Sequence, residues 1–70
     1  MGATVIVIVN GDTVEVPESA TMSDLFAQLD LDAKWVVAEH NGAPVPRART
    51  AATILRDGDR VELVKAVAGG

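Results

Sequence analysis

The residues of this chain best placed to do chemistry are the last three, Ala68-Gly69-Gly70. Glycine has no Cβ, so Gly69 and Gly70 can thread a narrow channel in another protein and adopt backbone angles that are closed to other residues. The carboxylate of Gly70 would arrive unobstructed, and it is ionised at neutral pH, so it can attack the α-phosphate of ATP in an activating enzyme. The alternative is a frayed terminus or a cloning boundary, where small residues are also tolerated.

Adenylation would make Gly70 electrophilic, because AMP leaves an acyl carbon readily and oxide does not. A persulfide donor could then displace AMP, and the product would be a terminal thiocarboxylate, which is a softer and better nucleophile. The sequence contains no cysteine, so carried sulfur cannot sit on a thiol of this chain. The tail therefore predicts a sulfur carrier with Gly70 as the site of adenylation and sulfur attachment, and with Gly69 and Ala68 lying in the partner's channel. The chain is predicted to be a protein co-substrate and not an enzyme.

Other residues with chemical potential favour structural roles. The single histidine, His40, has no cysteine beside it, and we interpret it as a strand or turn residue, not as a ligand or a base. Asp57 and Asp59 flank Gly58, which is typical of a turn, and two carboxylates fall far short of a calcium loop. The sequence thus predicts no catalytic residue, no metal and no bound cofactor; ATP would be used by the activating partner.

Length and charge limit the remaining possibilities. Seventy residues make one domain, and a formal charge of −4 argues against nucleic acid as a partner. The apolar run Val5-Ile6-Val7-Ile8-Val9 lacks a basic lead-in and is far shorter than the roughly 20 residues that span a bilayer, so no membrane association is predicted. With no export signal, the cytoplasm is the expected compartment.

The first elements are a hairpin and a helix. Residues 4–9 are rich in β-branched side chains, Asn10-Gly11 favours a tight turn, and residues 13–16 return as a second strand. The first strand is apolar on both faces, which predicts an interior strand with a helix on one face and a second cover, for which a partner is a candidate. Thr21 and Asp24 predict a capping box before a helix over residues 22–30. Four apolar side chains share one face of that helix, namely Met22, Leu25, Phe26 and Leu29.

The second half of the chain predicts further strands. Residues 35–40 form a third strand closed by Asn41-Gly42, and Pro44 and Pro46 allow only an edge strand or a loop afterwards. Residues 47–55 show no clear pattern, and a last strand follows over residues 60–67. The predicted fold class is α+β, with residues 1–67 as one domain and residues 68–70 as a flexible tail.

From Val37 onward the chain resembles ThiS, the ubiquitin-like sulfur carrier family of thiamine biosynthesis, and the resemblance extends more loosely over the N-terminal half. The resemblance implies a β-grasp fold, with a mixed sheet of four to five strands packed against one main helix. It also implies three partners, which are a ThiF-like adenylyltransferase, a ThiG-like thiazole synthase and a sulfur-donor enzyme. The residues that carry it are Asn41-Gly42, Val45-Pro46-Arg47, Leu55, Asp57-Gly58-Asp59, Val61-Glu62-Leu63-Val64 and Ala66-Val67-Ala68-Gly69-Gly70.

The sequence departs from this family pattern in two places, since the first strand starts late and the aromatic residue common near Thr50 is missing. A MoaD-like small subunit of molybdopterin synthase, or a carrier for cysteine or secondary-metabolite synthesis, is an alternative within the same class. MoaD-like carriers often have proline just before the terminal Val-Ala-Gly-Gly, where Lys65-Ala66 stands here, which favours thiazole. A different class is a non-catalytic interaction module on the same scaffold.

Overall fold

A five-stranded mixed sheet with one α-helix on one of its faces makes up the part of the chain that the computed structural model describes, residues 2–66. This architecture confirms the predicted α+β class and the predicted number of strands. Two short 3-10 helices, Ala33–Trp35 and Arg47–Ala52, complete the connections. The main elements are β1 (Thr4–Val9), β2 (Asp12–Pro17), α1 (Met22–Gln28), β3 (Val36–His40), β4 (Ala43–Val45) and β5 (Arg60–Lys65).

Both hairpins turn through an Asn-Gly pair. Asn10 and Gly11 have φ angles of 49° and 87°, and Asn41 and Gly42 have φ angles of 51° and 87°. Two consecutive positive φ angles define the type I′ turn, whose twist matches that of the strands it joins. The turns fix the register of β1 with β2 and of β3 with β4. The first hairpin was predicted from the sequence, and the second resolves the choice between an edge strand and a loop after Asn41-Gly42 in favour of a strand.

The last strand of the chain occupies the middle of the sheet, whose order is β2-β1-β5-β3-β4. β5 runs parallel to β1 and antiparallel to β3. β1 lies between β2 and β5, which confirms the interior position predicted from its apolar faces. β4 is an edge strand, which agrees with the restriction that Pro44 imposes, because proline cannot donate to a neighbouring strand.

The helix begins with the predicted capping box. The Thr21 hydroxyl accepts a hydrogen bond from the Asp24 N–H at 3.2 Å, and the Asp24 carboxylate accepts one from the Thr21 N–H at 2.9 Å. Aspartate thus takes the place usually held by glutamate or glutamine. The predicted apolar face packs on the sheet, with Met22, Leu25 and Phe26 buried and Leu29 partly buried against the core.

The helix ends earlier than the sequence predicted. The helix ends at Gln28, whereas the apolar pattern predicted that it continues to Asp30. Asp30 has a φ angle of 58°, and its N–H donates to the Ala27 carbonyl while the Leu31 N–H donates to that of Phe26. These bonds form a Schellman motif, which satisfies the last carbonyls and turns the chain out of the helix.

The segment without a clear pattern, residues 47–55, lies against the helix. Most of it is the 3-10 helix Arg47–Ala52, and Leu55 then enters the core. Thr50 is buried, and its hydroxyl donates to the Arg47 carbonyl at 2.9 Å and accepts from the Ser23 hydroxyl at 3.1 Å. A small threonine whose hydroxyl both donates and accepts a hydrogen bond therefore fills this buried position.

Several predicted strand boundaries shift by one or two residues. The second strand, predicted over residues 13–16, is Asp12–Pro17. The third strand starts at Val36 and not at Trp35, because residues 33–35 form a 3-10 turn in which the Asp32 carboxylate accepts from the Lys34 N–H at 2.9 Å. The last strand ends at Lys65, and Val67, the end predicted from the sequence, lies outside the described residues.

Candidate functional site

The residues predicted to carry the chemistry, Ala68, Gly69 and Gly70, lie outside the described residues, so their roles stay predictions. The division into a body over residues 1–67 and a tail over residues 68–70 stays a prediction for the same reason. The structure describes the folded domain that precedes these three residues, up to Ala66. The chain reaches this point at the end of β5, the central strand of the sheet.

β5 is held along its length by both neighbouring hairpins. Val61 and Leu63 pair with His40 and Ala38 of β3. On the other side, the Asn10 side-chain amide donates to the Leu63 carbonyl at 3.0 Å and accepts from the Leu63 N–H at 2.8 Å. The strand that leads to the tail is therefore fixed by hydrogen bonds on both edges.

Trp35 lies next to the last described residue. The Ala66 N–H donates to the Trp35 carbonyl at 2.7 Å, which continues the pairing of β3 with β5 by one more bond. The Trp35 side chain is 46% exposed. The sequence left open whether Trp35 packs in the core or faces a partner, and its exposure beside Ala66 favours contact with a partner.

The face of the sheet opposite the helix, which we call the outer face, carries exposed apolar side chains. Val37 and Val64 lie directly opposite each other on β3 and β5 and are 58% and 64% exposed. Ile6 on β1 is 46% exposed on the same face, and Ile8 is partly exposed beside it. Grouped exposed aliphatic side chains are typical of a surface that binds another protein. The outer face therefore has the apolar character that the sequence attributed to partner contact.

A histidine–aspartate pair lies near the start of β5. His40 Nε2 is 2.6 Å from Asp59 Oδ2, and Asp59 also accepts hydrogen bonds from the Arg56 N–H and the Asn41 side chain. Burial raises the pKa of Asp59, but the hydrogen bonds from His40, Arg56 and Asn41 outweigh burial and hold this pKa below its usual value. The pair therefore favours an ionised Asp59.

This pair is separated from the tail. His40 is the last residue of β3, as the sequence predicted, and it pairs with Val61, four residues before the end of β5 at Lys65. At roughly 3.3 Å per strand residue, the pair lies about 13 Å from the end of β5. Sequence reasoning assigned Asp59 to a turn and missed its bond to His40, because the two residues are 19 positions apart and no local pattern links them.

The side chains that could bind a metal ion do not lie close together in the described residues. Within residues 2–66, no group of three His, Cys, Asp or Glu side chains is arranged to hold a metal ion. Asp57-Gly58-Asp59 forms the predicted turn, with Gly58 at a φ angle of 86° and the Asp57 carboxylate accepting from the Ile6 N–H at 2.9 Å. Over the same range, the α-helix is too short to cross a membrane.

A helix on one face of a mixed sheet whose last strand is central, parallel to the first strand, defines a ubiquitin-like β-grasp protein. Solved structures agree with this class. A crystal structure of the thiamine biosynthesis protein ThiS from Geobacter metallireducens superposes with a TM-score of 0.79 at 34% identity, covering 93% of this chain and 99% of that one. A solution structure of a thiamine biosynthesis protein from the same organism gives a TM-score of 0.75 at 35% identity, covering 93% and 87%.

The chain belongs to the ThiS family, whose family model matches residues 3–70. The resemblance seen in the sequence is thereby confirmed, and so is the β-grasp fold. ThiS proteins are small sulfur carriers of thiamine biosynthesis, which agrees with the sulfur-carrier class predicted from the tail.

A curated relative of a different kind is also similar to this chain. It is a thiazole synthase from Paramagnetospirillum magneticum, 32% identical over 63 residues, which are 90% of this chain. The chain spans only 19% of the length of that relative. A protein named thiazole synthase therefore contains a segment similar to most of this chain.

Proposed function

We propose that this chain carries sulfur on the C-terminal carboxylate of Gly70 and delivers it for the thiazole of thiamine. A ThiF-like adenylyltransferase activates Gly70 with ATP, a sulfur-donor enzyme supplies the sulfur, and a ThiG-like thiazole synthase receives it. The observation that carries this proposal is the family match, which extends from residue 3 to Gly70 and so reaches Gly69-Gly70.

The chemistry takes place on the Gly70 carbonyl carbon. A carboxylate oxygen attacks the α-phosphorus of ATP and pyrophosphate leaves, which gives an acyl adenylate. A persulfide of the donor attacks the acyl carbon and AMP leaves, which gives an acyl disulfide. A thiol then reduces the disulfide with two electrons and releases the thiocarboxylate. None of these steps requires an acid, a base or a metal from the domain itself.

The folded body contributes position. β5 leads directly to the tail, and hydrogen bonds hold it to Asn10 on one side and to β3 on the other. A partner that binds the sheet therefore also positions the tail. Glycine at positions 69 and 70 leaves the tail slim enough for a narrow channel. The exposed Val37–Val64 pair and Trp35 supply apolar contact close to Ala66.

The thiazole synthase relative supports the choice of acceptor. A segment of that protein is similar to this chain, which supports a carrier domain and a thiazole synthase acting together in one polypeptide. Covalent joining raises the effective concentration of two domains that act together. We therefore propose a ThiG-like synthase as the acceptor, over the molybdopterin and cysteine alternatives. ATP and the donor must be available, and we propose the cytoplasm as the compartment.

Intact-mass spectrometry tests the proposal directly. The protein is incubated with ATP, the activating enzyme and the sulfur donor, and the mass should show exchange of one oxygen for one sulfur. Fragmentation should place the sulfur at Gly70. Deletion of Gly70 should abolish the exchange and leave the circular dichroism spectrum unchanged, whereas deletion of Gly2, at the other end, should leave both unchanged. Full sulfur transfer by the variant without Gly70 would refute the proposal.

The same experiment separates the carrier from a pure interaction module. The exposed outer face suits either role, because both need a surface that binds protein. An interaction module would bind its partners equally well without Gly70 and would show no exchange of oxygen for sulfur.

A further inference from the structure

Two adjoining cavities lie along the edge strand β4. One has a volume of about 320 Å³ and the other of about 360 Å³, and Pro44, Val45 and Pro46 line both. We call the two cavities together the β4 groove. The groove extends beside β3 from His40 to Val36, which is about 13 Å at the usual rise per strand residue. This length fits an extended peptide segment of about four residues.

The β4 groove carries positive charge. Arg49 lines one cavity, Lys34 and Arg47 line the other, and all three side chains are exposed. They are half of the six Lys and Arg residues in a chain whose net charge is −4. Among residues 2–66, no Asp or Glu lines either cavity, and the ion pair within 4 Å joins His40 and Asp59 and includes none of these cations. The described chain therefore leaves this charge without a carboxylate.

The surface between the cations is apolar. It consists of Val36 and Val45, which are partly buried against the core, and of Pro44 and Pro46. Pro44 lies on the open edge of the sheet and has no N–H to donate, so a ligand gains little by pairing with β4 as a further strand. Side-chain contacts would therefore provide most of the binding.

We propose that the β4 groove binds an extended acidic segment of a partner protein. Apolar side chains of the segment pack on Val45 and Pro46, and its carboxylates face Arg47 and Arg49. A guanidinium can donate two parallel hydrogen bonds to a carboxylate, and complementary charge selects an acidic segment over a neutral one. A nucleic acid is a poorer ligand, because the net charge of −4 repels a polyanion from the rest of the surface.

The groove opens beside the end of the described chain. Ala66 lines the same cavity as Arg47, and residues 67–70 follow Ala66 in the sequence. A protein whose acidic segment lies in the groove is therefore held next to the residues that lead to Gly70. The groove also gives a role to Val45-Pro46-Arg47, one of the motifs by which the chain resembles ThiS. The binding site goes beyond the proposed function and does not depend on which protein accepts the sulfur.

Titration of the whole chain with a synthetic peptide tests the proposal. The probe is an acetylated and amidated peptide in which a pair of leucines lies between short runs of glutamate. Its matched control has glutamine in place of every glutamate. Nuclear magnetic resonance follows the backbone amides of the isotope-labelled chain during each titration, at low and at high salt.

The amides of Val45, Arg47 and Arg49 should shift, with a dissociation constant on the order of 0.1–1 mM for so short a peptide. The glutamine peptide should bind at least about tenfold more weakly, and high salt should weaken mainly the glutamate peptide. Arg47→Gln and Arg49→Gln should each weaken binding about three- to tenfold. Arg60→Gln removes one positive charge from the outer face and should change the affinity less than about twofold. Circular dichroism should show the same fold for all three exposed-site variants.

Several results would overturn the proposal. They are no binding of the glutamate peptide, equal binding of the two peptides, shifts confined to other parts of the chain, and an equal loss with Arg60→Gln. Equal binding of a single-stranded oligonucleotide would also overturn it, because the groove would then be a general anion site.

Two other occupants are tested without the peptide. If light scattering shows dimers that Arg47→Gln dissociates, a second copy of the chain fills the groove. If deletion of Gly70 shifts the Arg47 amide, the chain's own terminus fills it. Either result overturns the assignment to a partner. The titration uses neither ATP nor the activating enzyme, so its failure would leave the proposed function untouched.

Discussion

The side chain of Asn10 makes two hydrogen bonds with the backbone of Leu63, which a longer β1 would supply from the backbone of two successive strand positions. It donates to the Leu63 carbonyl at 3.0 Å and accepts from the Leu63 N–H at 2.8 Å. Backbone bonds from Ile8 to Asp59 and from Asn10 to Val61 precede it along the same edge. The turn residue of the first hairpin therefore extends the parallel pairing toward the end of β5 from which the tail departs.

Replacement of Asn10 by glycine should lower the free energy of unfolding by about 1–2 kcal/mol, because it removes both bonds to Leu63. Glycine tolerates the φ angle of 49° at this position, so the turn itself should persist. Urea unfolding gives the free energy, and hydrogen exchange of the Leu63 amide should accelerate.

Asn10→Asp is the matched variant for this test. Aspartate keeps an acceptor for the Leu63 N–H, but its second oxygen faces the Leu63 carbonyl in place of the donor. Asn10→Asp should therefore be less stable than the wild type and should still protect the Leu63 amide better than Asn10→Gly. Equal protection of the Leu63 amide in the wild type and in Asn10→Gly would contradict the structural role of the bonds.

The bond between His40 and Asp59 predicts a loss of stability in acid. Hydrogen bonds hold the pKa of Asp59 below its usual value of 3.8 in the folded state. A carboxyl group with a lowered folded pKa stabilises the fold above its unfolded pKa, and this contribution disappears as the pH falls through the lower, folded pKa. The free energy of unfolding should therefore decline below about pH 4.

Asp59→Asn should remove this part of the decline. The difference in unfolding free energy between wild type and Asp59→Asn should shrink as the pH falls from about 6 to about 2. His40→Gln, which can still donate to Asp59, should retain part of the effect. Parallel stability profiles for the wild type and Asp59→Asn would show that Asp59 does not contribute.

The capping box predicts a cost for the loss of one hydroxyl. Thr21→Ala leaves the Asp24 N–H without its acceptor at the start of the helix, which should lower the free energy of unfolding by about 0.5–2 kcal/mol. Thr21→Ser keeps the acceptor and should be close to the wild type. Urea unfolding measures the stability of the two variants. An equal loss of unfolding free energy in Thr21→Ala and Thr21→Ser would show that the methyl group of Thr21, and not its hydroxyl, stabilises the fold.

Two aliphatic side chains on opposite faces of the sheet should separate stability from binding. Leu25→Ala empties a fully buried site, and a loss of about 2–5 kcal/mol in the free energy of unfolding would be comparable with the whole stability of so small a domain.

Val64→Ala removes methyl groups that are mostly in water, so the fold should persist while the activating enzyme binds more weakly. Circular dichroism and calorimetry measure the two effects, and unchanged binding by Val64→Ala would exclude the outer face as the docking surface.

A bulky side chain in the tail should block adenylation and leave the fold intact. Gly69→Val adds a β-branched side chain where the partner's channel is expected to be narrow, and kcat/KM for adenylation should fall on the order of 10²-fold. Gly2→Val is the matched control, since a Cβ at Gly2 meets nothing within 4 Å. Pyrophosphate release gives the rate, and normal adenylation of Gly69→Val would rule out a tight channel.

Local features of this fold were predictable because they depend on neighbours in sequence. Asn10-Gly11 set a type I′ turn through its φ preferences, and Thr21 with Asp24 set the helix start. The helix end was missed, because Asp30 is not the glycine that usually marks it. The segment around Thr50 was also left open, since the bond that satisfies its hydroxyl from Ser23 crosses 27 residues.

The sequence by itself determined the turns, the apolar face of the helix and the proline-bearing edge strand, since each follows from residue type or short-range spacing. It also predicted Gly70 as the reactive end, which stays a prediction. The tertiary structure alone decided that β5 lies between β1 and β3, that Asn10 reaches Leu63, that His40 meets Asp59 and that Glu39 faces Glu62. These relationships join residues 19 to 53 positions apart. They depend on which strands pair, and strand pairing is set by burial of the whole core and not by any local pattern.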